Sequence, residues 1–171
     1  MIFTGSFRYS VNYEAMVWFV GEVMPLILNK IPDATLIITG DHLSLPLPSQ
    51  KNIRLTGRVE DVRQWIANSA VALAPLWSGG GTRLKVLEAM ALGVPVVATG
   101  KGAEGLGARS GEHLFIADAP EDFAGYVIQL MQDRALAIRM ASSAREFVGA
   151  NFDWKFIMSG FLQRVEQTVR E

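Results

Sequence analysis

The residues best suited to chemistry lie in one short run, Gly79-Gly80-Gly81-Thr82-Arg83-Leu84-Lys85, followed one turn later by the carboxylate of Glu88. Three adjacent glycines let a backbone approach a ligand closely. A helix beginning near Thr82 would aim unpaired N–H groups and its positive dipole end into the same space. Arg83 and Lys85 then fall in the first helical turn, where cations oppose the dipole and are normally avoided. Two of them there make sense if an anion such as a diphosphate compensates both. The plainer alternative is a flexible glycine turn with solvated cations, Lys85 pairing with Glu88. Glu88 itself, in Val86-Leu87-Glu88-Ala89-Met90, is either a surface glutamate or a cleft carboxylate able to accept both hydroxyls of a ribose.

Two further loops invite the same question. Gly5-Ser6-Phe7-Arg8 follows the first strand-like run, and Thr56-Gly57-Arg58-Val59-Glu60-Asp61 follows the third. The latter holds a base through its backbone at Val59 and through Arg58, or else is a turn ending in an Asp61 helix cap; spacing alone does not choose. His42, Trp77 and Trp154 read as packing or loop residues, and His113 reads equally well as structural.

The elements that must position these residues follow a βαβ rhythm. Short apolar runs at 2–5, 35–39, 53–56, 71–75, 94–99 and 114–116 alternate with amphipathic stretches. The middle runs lack polar alternation, as expected of parallel strands covered on both faces. The first helix carries Val17, Val20, Met24 and Ile27 on its apolar side, with Pro25 expected to kink or shorten it, and the helix after the fourth strand carries Leu84, Leu87 and Ala91. A short helix is expected at 62–67, a loop at 42–50 with Pro46 and Pro48, and three helices after residue 116, the last bearing Ile157, Phe161, Val165 and Val169. The fold class is α/β, a Rossmann-like doubly wound parallel sheet of about six strands with helices on both faces and a helical C-terminus. In strand order 3-2-1-4-5-6, ligands bind beyond the carboxyl ends of strands one and four, where the order reverses.

Composition sets the bounds. A chain of 171 residues, half of them apolar, is one domain, residues 1–171. Sixteen basic against seventeen acidic residues argue against nucleic acid as a partner. The absence of cysteine and the two separated histidines exclude a thiolate site and make a metal cluster improbable. With no basic leader and no apolar run of about 18 residues, the expectation is a cytoplasmic, soluble chain. The opening Met-Ile-Phe-Thr-Gly, entering a strand at once, suggests a piece of a longer polypeptide.

The run from Val71-Ala-Leu-Ala-Pro75 through Gly79-Gly-Gly-Thr82-Arg-Leu-Lys85-Val-Leu-Glu88-Ala-Met-Ala-Leu-Gly93-Val-Pro resembles the donor-site signature of family-4 glycosyltransferases, retaining enzymes of the two-domain GT-B fold. Thr4-Gly5-Ser6 with Asn12 and Ala15, Thr56 to Arg63, Gly102-Ala-Glu104-Gly-Leu106, Ala117-Asp118, Pro120-Glu121 and Phe152-Asp-Trp154 support it in the expected order. The resemblance implies transfer of a sugar from a nucleoside diphosphate sugar to an acceptor with retention, the departing phosphate taking the acceptor's proton. It implies a donor site built from Gly5, Ser6, Arg8, Arg58, Val59, Gly79, Gly80, Gly81, Thr82, Leu84 and Glu88, with Glu88 on the ribose and Arg83 and Lys85 as the catalytic cations. The family's first paired glutamate would fall on Gly80, and its arginine and lysine after the first strand near Ser6 and Val11; none is charged here, so Arg8, Arg83 and Lys85 are the replacements. No cofactor or metal is implied. The acceptor site would belong to a missing N-terminal domain, the only route to membrane contact. The alternative is a stand-alone nucleotide- or phosphate-binding module without catalysis. A dinucleotide oxidoreductase is disfavoured because Gly5-Ser6-Phe7-Arg8 lacks the expected glycine pattern.

Overall fold

A computed structural model describes residues 1–47 and 51–170; in the last helix the side chains described are those at 154, 155, 157, 158, 161, 162, 164, 165, 167 and 168. Pro48 and the side chain of Val169 lie outside the described residues. Six parallel strands, β1 (Ile2–Thr4), β2 (Leu36–Thr39), β3 (Ile53–Gly57), β4 (Ala72–Ala74), β5 (Val96–Ala98) and β6 (Phe115–Ile116), form one sheet in the order β3-β2-β1-β4-β5-β6. This is the Rossmann-like order expected from the sequence. The helices are α1 (Ser10–Trp18), α2 (Met24–Lys30), α3 (Val62–Ala67), α4 (Leu84–Ala91), α5 (Pro120–Gln132), α6 (Arg134–Phe152) and α7 (Trp154–Arg170).

Because strand side chains alternate between faces, each strand feeds two cores. Phe3, Leu73 and Val97 point to a layer with α1, α2 and α5, where Phe19, Met24, Ile27 and Phe123 are wholly buried. Ile2, Ala72, Ala74, Val96 and Ala98 point to the opposite layer, against Val86, Ala89 and Met90 of α4, Ile66 of α3 and Ala144 of α6. Small residues on β4 and β5 let α4 lie close to the sheet. That places the start of α4 directly over the carboxyl edge.

The first helix departs from the expected 3.6-residue face. A π-helical turn, Phe19–Val23, joins α1 to α2 immediately before Pro25, the proline standing in the first turn of α2. Proline has no N–H for the carbonyl one turn back and its ring crowds that carbonyl, so widening the preceding turn removes the clash without breaking the rod. The extra residue rotates the apolar stripe: Met16, Phe19, Val20, Val23, Met24 and Ile27 are buried, whereas Val17, expected in the core, is exposed. The joined helix Ser10–Lys30 is, contrary to the sequence expectation, long and apolar enough to cross a membrane, with mean hydropathy 1.3. Half of that window is buried in the first core, which accounts for its apolar character.

On α4 the buried residues are Val86, Leu87, Ala89 and Met90; Leu84, 68% exposed, and Ala91 face outward instead of the core. The buried face is centred between Val86 and Met90, so Leu87 lies at its edge and Leu84 and Ala91 lie beyond it. Trp154 is 75% exposed, and α7 carries a further exposed apolar set, Ile157, Met158, Phe161, Leu162 and Val165.

Phe19 and Phe123 meet edge to face at 5.9 Å between α5 and the π turn. Phe123→Ala leaves a cavity at that contact and should cost about 3–5 kcal/mol, read as a lower urea midpoint at unchanged slope; a loss under 1 kcal/mol would show that this core is not closely packed.

Candidate ligand site at the carboxyl edge

Beside the reversal in strand order, the chain leaves β1 toward α1 on one face and leaves β4 toward α4 on the other. The two loops part, and the crevice between them is the place for a ligand.

The β1 side is built around Asn12, in the first turn of α1 and 8% exposed. Its Nδ2 donates to the Ser6 carbonyl at 2.8 Å. A Cβ on residue 5 would lie 2.8 Å from the Asn12 amide, so Gly5 is the residue that admits this side chain. From the other side of the crevice, Lys85 Nζ donates to Asn12 Oδ1 at 2.8 Å and lies 4.0 Å from the centre of the Phe3 ring. The amide orientation is fixed chemically, since a carbonyl only accepts and an ammonium only donates. Among the described residues no carboxylate pairs with Lys85; the Lys85–Glu88 pair weighed from the sequence is not formed. Burial, and secondarily the Arg83 charge, push its pKa down to about 7.

Arg83 does something different. Its side chain is 5% exposed, and its guanidinium donates to the carbonyls of Gly80 and Gly79, each at 3.2 Å, and to Glu104 Oε2 at 2.9 Å. Glu104 also takes Lys101 Nζ at 2.7 Å, and those hydrogen bonds and charges, Lys101 first, hold its pKa below the ordinary value. The Arg83 side chain therefore ties the glycine loop to the loop after β5. Within the glycine loop Gly79 and Gly81 take φ of +93° and +81°, and a Cβ on Gly79 would lie 2.5 Å from the Tyr9 hydroxyl. At the helix start Leu84 N–H turns back to the Thr82 carbonyl, while Val86 and Leu87 share the Arg83 carbonyl. Among the described residues the backbone N–H groups of Arg83 and Lys85 have no hydrogen-bond partner. Thr82 is exposed beside them.

Glu88, half-buried, lies with Glu60, Asp61, Val62, Arg63, Gln64 and Trp65 around a hollow of about 780 Å³. Asp61 caps α3 by accepting Arg63 N–H at 2.9 Å and is gripped by both Arg63 Nε and Nη2 at 2.9 Å; these bonds hold its pKa down. Among the described residues no donor engages the Glu88 carboxylate. Val59 is half-buried at the mouth of the same turn. Arg58 is exposed and lines a separate hollow with Asp41, His42, Leu43, Ser44 and Gly57, and Arg8 pairs with Asp41 at 2.8 Å. The sequence-predicted residues thus divide: Gly5, Ser6, Gly79, Gly80, Gly81, Arg83 and Lys85 stand on the elements that border the crevice, Glu88 lines the hollow beside α3 with Val59 in the turn before it, and Arg8 and Arg58 lie around the loop after β2. His113, whose Nδ1 accepts the Arg109 N–H at 3.0 Å and whose ring stacks on Phe147 at 4.3 Å, is held in the fold away from these loops.

Sequence reasoning did not single out the parts of Asn12 and Glu104. The available signal for Asn12 was a polar residue on a helix face otherwise made of Val11, Ala15 and Met16; for Glu104 it was a carboxylate between glycines 102 and 105.

Residues 1–133 match the family model described as glycosyl transferases group 1. The phosphatidyl-myo-inositol mannosyltransferase of Mycobacterium leprae is 30% identical over 157 residues, 86% of this chain and 41% of the relative. Among solved structures, Anabaena HepE in complex with UDP and glucose superposes with TM-score 0.71 at 17% identity, over 97% of this chain and 48% of that one. The C-terminal domain of the group 1 family protein LpcC from Francisella tularensis superposes with TM-score 0.72 at 20% identity, over 90% of this chain and 86% of that one. The chain spans less than half the length of the curated relatives it matches.

A half-buried ammonium without a counter-charge is a stability cost with a definite pH signature. Lys85 titrates near 7 when folded and at 10.5 when unfolded, so between those values the unfolded chain binds the extra proton and stability rises with pH. Lys85→Met should remove that rise and leave the chain at least as stable at pH 7, read by urea denaturation from pH 6.5 to 10; an unchanged slope would mean that Lys85 is hydrated.

Proposed function

The chain belongs to the group 1 glycosyl transferases, and from that premise we propose that it is the donor-binding half of a family-4 retaining transferase, which moves a sugar from a nucleoside diphosphate sugar to an acceptor. The observation that carries this reading is Lys85: a half-buried cation, held by the neutral Asn12 amide over the Phe3 ring and paired with no carboxylate among the described residues, on the helix whose first backbone N–H groups are unpartnered. An anion is the missing partner for the cation and for those N–H groups. A diphosphate there leaves the nucleoside to extend toward Glu88, whose carboxylate accepts the ribose hydroxyls, with the base against the turn at Val59 and Arg58. The sugar then lies by Gly79, Gly80, Gly81 and Thr82, with Gly5, Ser6 and Leu84 bordering the crevice.

Loss of the glycosidic bond leaves negative charge on the diphosphate oxygens. Donors already aimed at those oxygens lower the barrier because they need no reorganisation as charge develops. Lys85 supplies the charge. Arg83, whose two terminal nitrogens hold the Gly79 and Gly80 carbonyls and Glu104 while its Nε is buried without a partner, keeps the loop in shape for it. The arrangement is read as metal-independent, and the reaction as cytoplasmic, with the acceptor held by an N-terminal half of the same polypeptide. The coverage of less than half of the curated relatives supports that division.

Calorimetric titration with UDP, GDP, ADP and NAD is the test. One of the three diphosphates should bind, with EDTA making no difference and NAD failing. Glu88→Ala and Lys85→Ala should each lose a charged hydrogen bond worth about 1.5–3 kcal/mol, tenfold or more in affinity. Binding of NAD in preference, or indifference to both substitutions, would overturn the site, and transfer of sugar by this chain alone would overturn its role as one half.

A further inference from the structure

Asn12 is a buried amide in an apolar neighbourhood. It stands on α1 among Val11, Ala15 and Met16, all buried, with Gly5 bare beneath it. Burying an amide is unfavourable unless its donor and acceptor are both used. Here the donor is used on the β1 loop, at the Ser6 carbonyl, and the acceptor on α4, at Lys85, 73 positions away in sequence. The amide therefore spans the crevice from one wall to the other.

The choice of an amide rather than a carboxylate has a physical consequence. The groups around the Lys85 ammonium are the Phe3 ring from β1, the Asn12 oxygen from α1 and the Arg83 guanidinium from its own loop, which repels it. The nearby carboxylates are turned elsewhere: Glu104 to Arg83 and Lys101, Asp41 to Arg8, and Glu88 to the hollow beside α3. An aspartate at 12 would grip Lys85 and cancel its charge. An alanine would leave a long flexible side chain with no oxygen to hold it. A neutral acceptor fixes the ammonium and leaves its charge for a ligand.

We propose that Asn12 is the positioning residue of this site: it holds the Lys85 ammonium in the crevice between β1 and β4 without neutralising it, so that the charge meets the diphosphate of the donor. The proposal rests on the donor-site reading above. It assigns Gly5 a packing role, making room for the amide, in place of close approach to the ligand. It also gives the β1 loop a stake in binding, because the same amide holds the Ser6 carbonyl.

The test compares the chain with Asn12→Asp, Asn12→Ala and Lys85→Ala. Two readouts are taken from pH 6 to 10: the titration midpoint of the Lys85 side chain by NMR without nucleotide, and UDP and GDP affinity by calorimetry. Asn12→Asp should raise the midpoint by about one to three units, as an adjacent opposite charge does, and weaken nucleotide binding tenfold or more at pH 6.5, where Lys85 is charged in both proteins. Asn12→Ala should lower the midpoint and move the loss of nucleotide binding to lower pH. Thermal unfolding checks that each variant folds; a purely structural role for Asn12 changes the melting temperature and leaves the midpoint in place. The same Lys85 midpoint in all Asn12 variants, or binding by Asn12→Asp equal to that of the unaltered chain, overturns the proposal. If UDP and GDP bind neither the unaltered chain nor any variant, or bind Lys85→Ala as well as the unaltered chain, the donor-site reading falls instead, while the midpoint still decides whether Asn12 holds Lys85.

Discussion

A positive charge partly withdrawn from water and given no negative partner among the described residues is the constraint around which this end of the molecule is arranged. Lys85 sits under α1 and over Phe3, its ammonium met by one amide oxygen. Desolvation of an ion is unfavourable, and proteins ordinarily answer it with a counter-ion or by giving up the proton. Here the second answer is given in part, the pKa falling to about 7, and the donor-site reading leaves the first to a ligand. Stability is exchanged for a site already charged and already shaped, a common bargain at functional positions.

The second cation shows why two basic residues only two apart are not equivalent. Arginine offers five donors in a planar fork, suited to tying several carbonyls and a carboxylate together; lysine presents a compact charge on a flexible stem. Arg83 acts as the first kind, joining Gly79, Gly80 and Glu104. Three glycines in a row have little reason to hold one conformation without it. Lys85 acts as the second kind, about half a turn further round, where its side chain reaches Asn12 on α1. The division of labour follows from where α4 begins: with Arg83 as N-cap its side chain folds back along the loop, and Lys85 becomes the first cation inside the helix.

Much of this was legible from the chain alone. Apolar runs gave six strands close to their observed bounds, most clearly β4 and β5, which are buried on both faces and carry no polar residue, and least clearly the edge strand β3, where Arg54 and Leu55 are exposed. The strand order, and so the position of the crevice, followed from the βαβ rhythm. What failed were the helix faces. A π turn before Pro25 rotated Val17 outward, and the buried face of α4 is centred between Val86 and Met90, which leaves Leu84 and Ala91 outside it. Periodicity assumes an unbroken 3.6-residue repeat, and on a helix as apolar as α4 it offers more than one stripe. The partnership of Asn12 with Lys85 was out of reach for a different reason: it joins residues 73 apart, and only the packing of two helices against opposite faces of β1 and β4 brings them to 2.8 Å. Arg8 and Arg58 are both basic and both follow strands; Arg8 is taken by Asp41, and Arg58 lines a hollow other than the one at Glu88.

The central claim is that Lys85, and not Arg83, waits for the phosphate. A crystal structure of this chain with UDP bound is the direct measurement. The account predicts a phosphate oxygen within hydrogen-bond distance of Lys85 Nζ and of the N–H groups at the start of α4, with Arg83 still on the Gly79 and Gly80 carbonyls. A diphosphate held by Arg83 swung free of the glycine loop, or seated at Arg8 and Arg58 with Lys85 untouched, would contradict it.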